Sequence, residues 1–141
     1  MHLTTLADHE HLYVGYDKAE QWLYADWRGV HDQESARAAC QLLLRVMHHH
    51  PCPKILNDNT NITSTSVQLS ETARPWVAAM HEAGLRYLAW IYPAEFAARR
   101  AFDDALQGIP EPAIATFDDL ASACEWLRRQ EVAPRRADRV E

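Results

Sequence analysis

The side chains best suited to chemistry stand together in residues 54–67, KILNDNTNITSTSV. Asn57, Asp58, Asn59, Thr60 and Asn61 follow a short apolar stretch, and Thr63, Ser64, Thr65 and Ser66 follow Ile62. Carboxamides, one carboxylate and hydroxyls offer many donors and acceptors, but no nucleophile with an adjacent base. Such a run suits three tasks. It can make local Asx and Ser/Thr turns, with Ser66 capping a helix. It can line a small-ligand pocket, since ligands of open α/β sheets gather at the carboxyl ends of strands. It can also present a hydroxyl for phosphorylation: a phosphoryl group on Ser64 or Ser66 would meet the free N–H groups and positive end of a following helix. Tyr92, Pro93 and Glu95 close the next apolar stretch. If the two strands are neighbours, Asn57, Asp58, Asn59, Thr60, Tyr92 and Glu95 form one partner or ligand surface.

Other candidates carry less. The run HHHPC places His48, His49, His50 and Cys52 together. Adjacent histidines at a helix end splay apart, whereas a tetrahedral metal site needs convergent ligands. Imidazolium at a helix carboxyl end is favoured by the helix dipole alone. The HEH of His9 to His11 lacks the one-turn spacing of a zinc-binding HExxH. There is no glycine-rich phosphate loop and no nucleophile elbow. Ser64 and Ser66 have no base nearby in sequence, although folding could bring His31 or His81 close. The expectation is no enzyme, no metal and no cofactor.

Stepping out to the whole chain, 141 residues fit one domain, able to bury roughly 70% of the surface its unfolded form exposes. The balance of 14 basic and 20 acidic residues gives a formal charge of −6. An acidic domain without a basic stripe argues against nucleic acid as partner. The basic residues of APRRADRVE are mixed with acids and follow Pro134, as in a frayed tail. Three cysteines without a CxxC pair suggest a reducing compartment. The first residues contain no apolar signal core, and no apolar run approaches the ~20 residues of a membrane helix. A cytoplasmic protein with no membrane insertion is therefore expected.

The elements that must position the polar run follow from periodicity. Residues 11–17 and 20–29 read as two strands of a hairpin. In the second, Trp22, Tyr24 and Asp26 share one face, and Leu23, Ala25 and Trp27 share the other. Asp32 reads as an N-cap, with Ala36, Cys40, Leu43, Leu44 and Met47 as the inner face of a helix ending before Pro51. KILN is a short strand. A helix over residues 66–83 ends at Gly84. Pro75 lies inside it, yet Leu69, Ala73, Trp76 and Met80 keep one apolar face across the proline, which predicts a single kinked helix. RYLAWIY is nearly continuous in apolarity, as in a strand buried on both faces of a parallel sheet. Residues 95–106 read as a helix, PAIATF as the last strand, and Asp118 or Asp119 as cap of a last helix with Leu120, Cys124 and Leu127 inward. The expected fold is α/β: a single-domain mixed sheet flanked by about four helices, in the order β-β-α-β-α-β-α-β-α. The domain spans residues 11–130, with flexible ends at 1–10 and 131–141. Five tryptophans exceed what a chain of this length readily buries in full, so one or two are expected in a dimer interface or an apolar cleft.

WLYADWRG, ILNDNT, Trp76, AGLRYLAWIY and FDDLASACEWLR, in this order and spacing, resemble the STAS fold of anti-sigma-factor antagonists, and more closely small bacterial STAS/SEC14-like proteins. The likeness spans most of residues 12–129. It implies a non-enzymatic regulatory domain that works by protein contact. In those antagonists a Ser or Thr at the start of the helix after the third strand is phosphorylated by a partner kinase, and this releases the partner. Ser64 and Ser66 are the matching positions, although the acid that precedes the family's serine is Thr63 here. The implied partner is a kinase or an anti-sigma-like regulator, with a homodimer as a further expectation. The lipid-carrier side of the resemblance implies an alternative, a module for a small apolar or lipid-like ligand.

Overall fold

The computed structural model describes residues 2–65, 69–93, 99, 103, 104 and 106–132. Six strands form one sheet: β1 (Leu3–Asp8), β2 (Leu12–Asp17), β3 (Trp22–His31), β4 (Lys54–Thr65), β5 (Tyr87–Ile91) and β6 (Ala113–Phe117). Their order across the sheet is their order in sequence. β1, β2 and β3 pair antiparallel, and β3 to β6 pair parallel. The helices among the described residues are α1 (Gln33–His49), α2 (Leu69–Glu82) and α3 (Leu120–Arg129).

The element order among the described residues is β-β-β-α-β-α-β-β-α, which corrects the expected one at its amino end, where a further strand precedes the hairpin. Residues 1–10, expected to be a flexible end, contain β1. It pairs with β2 along Leu3↔Asp17 to Asp8↔Tyr13, and Leu6 and Ala7 pack against the larger core. Three helices stand where about four were expected, because most of the helix read over residues 95–106 lies outside the described residues.

The alternation of β3 holds. Leu23, Ala25 and Trp27 enter the larger core, whereas Trp22 enters the smaller one with Tyr24 against it. The β2–β3 turn is tied by Asp17, whose buried carboxylate accepts the N–H groups of Ala19 and Glu20 at 3.1 Å each. Asp32 caps α1 as expected. Its carboxylate accepts the Ser35 N–H at 2.8 Å, and the Asp32 N–H reaches the Ser35 hydroxyl at 3.0 Å. The buried stripe of α1 is Ala39, Leu43, Val46 and Met47; Ala36, Cys40 and Leu44 lie on its flank, half-buried. α2 is one helix through Pro75, with Ala73, Trp76, Val77 and Met80 buried. It ends at Gly84, whose φ of 124° suits a residue without Cβ, and the Leu85 N–H closes back on Met80 O at 3.0 Å.

Two cores result. The larger joins β2 to β5 with α1 and α2; the smaller joins Trp22, Leu56, Ala89 and Ile91 to Ala123, Cys124 and Leu127 of α3. Four of the five β5 residues are buried, as a central parallel strand requires. Asp119 caps α3, accepting from the Ser122 N–H at 2.7 Å. Leu120, expected to face inward, is 41% exposed, since the buried stripe of α3 begins only at Ala123. Trp22, Trp27, Trp76 and Trp90 are all buried, and Trp126 is half-buried against the smaller core.

Candidate functional site

The polar run is strand. β4 is 12 residues long, and its pairing with β5 ends at Asp58↔Ile91. Its pairing with β3 continues, through Arg28↔Asn61 and Gly29↔Ile62, to His31↔Thr65. The short strand KILN and the turn expected after it are thus replaced by a two-stranded parallel ribbon that runs beyond β5. Thr60, Ile62, Thr63 and Thr65 are β-branched and suit the extended backbone. Two register shifts interrupt the ribbon, and Gly29 takes a φ of 76° within it. Asn59 substitutes for a missing neighbour: its side-chain N–H donates to Ile91 O, the last carbonyl of β5, at 2.8 Å.

Alternation sends the polar side chains to opposite faces. Asn57 is fully buried on the α1 and α2 side, where its Oδ1 accepts the indole N–H of Trp27 at 2.5 Å. Trp27 meets Trp76 edge-to-face at 6.2 Å, and the Trp76 N–H is held by Cys40 O at 3.0 Å. The His31 ring lies 5.7 Å from that of Trp27. Among the described residues the amide nitrogen of Asn57 has no hydrogen-bond partner.

On the opposite face Asp58, 5% exposed, accepts from the Tyr24 hydroxyl at 2.7 Å, the Thr60 hydroxyl at 2.7 Å and the Thr60 N–H at 2.9 Å. Burial, followed by the carboxylates of Asp58 and Asp26, pushes the Tyr24 hydroxyl well above the ordinary tyrosine range. Asp26 accepts from Asn61 at 2.8 Å and from Arg28 at 3.2 Å, and Arg28 also reaches Asp8 and lies over the Tyr13 ring. These groups are satisfied by one another. They make a polar, aromatic sheet face with Tyr13, Tyr24, Asp26 and Arg28 half-buried.

The residues singled out from sequence are therefore dispersed. Asn57, Asp58 and Asn59 are not surface residues, and they divide between the two faces. Thr60 is exposed beside Asp58. Tyr92 bonds instead to Asp103 at 2.6 Å and Thr116 at 2.9 Å. Ser64 pairs with Val30 near the end of the ribbon. Ser66 and Glu95 lie outside the described residues. His48, His49 and His50 are exposed at the end of α1, whereas Cys52 is buried with its thiol toward Lys54 O at 3.3 Å. Among the described residues no three His, Cys, Asp or Glu side chains converge as metal ligands. His81 faces Glu111 at 3.4 Å. Tyr24, Asp26 and Arg28 escaped the sequence reading as functional groups; their signal was the alternation of β3, which aligns them opposite Trp27.

No family model matches the chain, and no curated protein sequence matches it. Its structure is similar to that of the anti-sigma factor antagonist SpoIIAA in its unphosphorylated form, with a TM-score of 0.54 at 10% identity, covering 93% of this chain and 100% of that one. It is also similar to an uncharacterized DUF3478-family protein with a SpoIIAA-like fold from Shewanella loihica PV-4, with a TM-score of 0.50 at 17% identity, covering 89% of this chain and 92% of that one. The chain has a STAS/SpoIIAA-like fold. None of its helices, among the described residues, is long and apolar enough to cross a membrane.

Proposed function

We propose that the chain is a non-enzymatic, cytoplasmic protein-interaction domain whose partner docks on the β3–β4 ribbon and is released by phosphorylation of Ser64 or Ser66. The observation that carries the reading is the ribbon. Beyond Asp58, β4 loses its β5 neighbour and offers a strand edge rich in hydroxyls and amides. Such an edge can pair with an extended segment of a partner, or dock a partner's loop, with no change in the sheet. Thr60, Asn61 and Thr63 are exposed along it, and Val30 is 60% exposed on the adjoining strand. A phosphoryl group adds about −1.5 to −2 charges at neutral pH to a chain already at −6, enough to displace an acidic partner or recruit an arginine-bearing one. The anti-sigma factor antagonist SpoIIAA, in its unphosphorylated form, supports the reading by its fold, and the partner proposed here is a kinase or an anti-sigma-like regulator. A homodimer through the same edge is the remaining possibility within this reading.

The test is capture of partners from the source lysate with wild-type protein, Ser64→Asp and Ser66→Asp, with phosphorylation mapped on the bait by mass spectrometry. A partner held by wild type and lost by one of the variants is expected. If wild type and both variants retain the same proteins, and neither serine is phosphorylated, the switch is refuted.

One observation favours a second reading, a small-ligand module. The Asn57 amide nitrogen is sealed in the core between Trp27 and the sheet without a partner, which costs about 1–3 kcal/mol unless a guest supplies an acceptor. Native mass spectrometry of the purified protein distinguishes the two: a retained adduct of fixed mass, lost in Asn57→Leu, would support the ligand module.

A further inference from the structure

We propose that His31, locked under His11 and the β1–β2 turn, is a pH-sensitive latch that holds the carboxyl end of β3 against the core and releases it on mild acidification. The His31 ring is 2% exposed, and among the described residues neither ring nitrogen has a hydrogen bond of good geometry. The His11 ring lies 5.2 Å from it, with a buried and unbonded Nδ1, and the His9 ring lies 6.1 Å from His11. Three imidazoles, each tilted to the next, thus run from the surface turn into the core. On the inner side His31 faces Trp27, which donates to Asn57 and packs on Trp76; none of these titrates.

Among the described residues, the following charged and titratable groups bear on His31. The β1–β2 turn brings His9 and His11. Its backbone is tied by the Arg28 N–H to His11 O at 3.0 Å and by the His11 N–H to His9 Nδ1 at 3.3 Å. From the cap of α1 comes the exposed Asp32 carboxylate, which favours a proton on His31. The backbones of His11 and, from β3, Arg28 also favour the proton; the Arg28 guanidinium is engaged with Asp8 and Asp26. α2 presents Trp76.

Burial first, and the charge of His11 second, outweigh these and hold His31 below the ordinary histidine range. The sign follows. The closed form excludes the proton, while an opened form accepts it with the ordinary value of about 6.5. The latch is therefore at full strength above about pH 6.5 and weakens as the pH falls below it. One unit lower, at pH 5.5, the opened form gains by up to about tenfold. What opens is the segment pairing residues 28–31 with 61–65, where Gly29 already departs from regular strand. The device does not depend on any partner.

Hydrogen exchange of the full chain, followed residue by residue at pH 7.5 and 5.5 and corrected for intrinsic rates, tests it. Amides of residues 28–31 and 61–65 are expected to open more at pH 5.5, by up to about tenfold, while those of β5 keep their protection. In His31→Phe the change with pH should vanish. Equal opening of the ribbon at both pH values in wild type, the same pH response in His31→Phe, or an equal loss in β5 overturns the proposal. Should His31→Phe fail to fold, the ring titration of wild-type His31 by NMR decides alone: a midpoint below 6.5 supports the latch, and one at or above it overturns it.

Discussion

Replacing Trp27 by phenylalanine, alone and together with Asn57→Leu, measures how the polar pair in the larger core is held. In wild type the Trp27 indole N–H donates to Asn57 Oδ1 at 2.5 Å, with Asn57 fully buried and Trp27 at 7% exposure. Trp27→Phe leaves the whole Asn57 amide without partners, because its nitrogen already has none. An orphaned carbonyl costs about 1–3 kcal/mol, and the lost indole area adds to this, so roughly 3 kcal/mol of destabilisation is expected. Asn57→Leu keeps the branching of the side chain. It orphans the indole N–H but removes the unpaired amide nitrogen, so the two changes nearly cancel, leaving about 1 kcal/mol either way. The double variant contains no unpaired polar group at this place. It should be more stable than Trp27→Phe alone by about 1–3 kcal/mol, which appears as a coupling of that size in the double-mutant cycle. Urea unfolding followed by far-ultraviolet circular dichroism supplies all four stabilities without relying on Trp27 emission. Additive effects, with a coupling below about 0.5 kcal/mol, would refute the buried pair. A loss above about 3 kcal/mol from Asn57→Leu alone would mean that the amide nitrogen has a partner after all, and would strengthen the small-ligand reading.

Three further outcomes follow from single contacts. The Tyr24 hydroxyl is held in its neutral form by burial and by Asp58, so the stability it contributes is present below about pH 10 and lost as the pH rises beyond it; phenolate absorbance should show one of the five tyrosines ionising only with unfolding, and Tyr24→Phe should abolish that late step. Gly84→Ala places a Cβ 3.8 Å from that of Pro51, so space is adequate, but the φ of 124° strains an L-residue by roughly 1–3 kcal/mol; a thermal midpoint equal to wild type would contradict the assigned backbone. Asp119→Ala removes the cap of the ten-residue α3 and should cost about 1 kcal/mol, with Asp119→Ser recovering most of it in the same melts.

Much of this fold was legible because its local signals agree with its tertiary contacts. The period of two in WLYADW divides between two real cores. Asp32 caps α1 and Gly84 ends α2, and the apolar rhythm through Pro75 predicted one helix because the tertiary face, not the proline, decides continuity. β1 was hidden for the opposite reason. LTTLAD is an edge strand with only Leu3, Leu6 and Ala7 half-buried, so its burial shows no regular alternation, and what orders it is pairing with β2.

The polar run was misread because its composition is that of a turn, while its structure is set by a partner far away in sequence. Residues 61–65 are strand because residues 28–31 accept and donate their backbone hydrogen bonds. No property of the run itself encodes that partner. Once it is strand, the period of two assigns its neighbours to different work: Asn57 inward to Trp27, Asp58 to Tyr24 on the other face, and Asn59 across to the end of β5. Three adjacent polar residues that read as one surface are thus three separate anchors. They tie the base of the ribbon to both cores and to β5, while Thr60, Asn61 and Thr63 beyond it stay exposed.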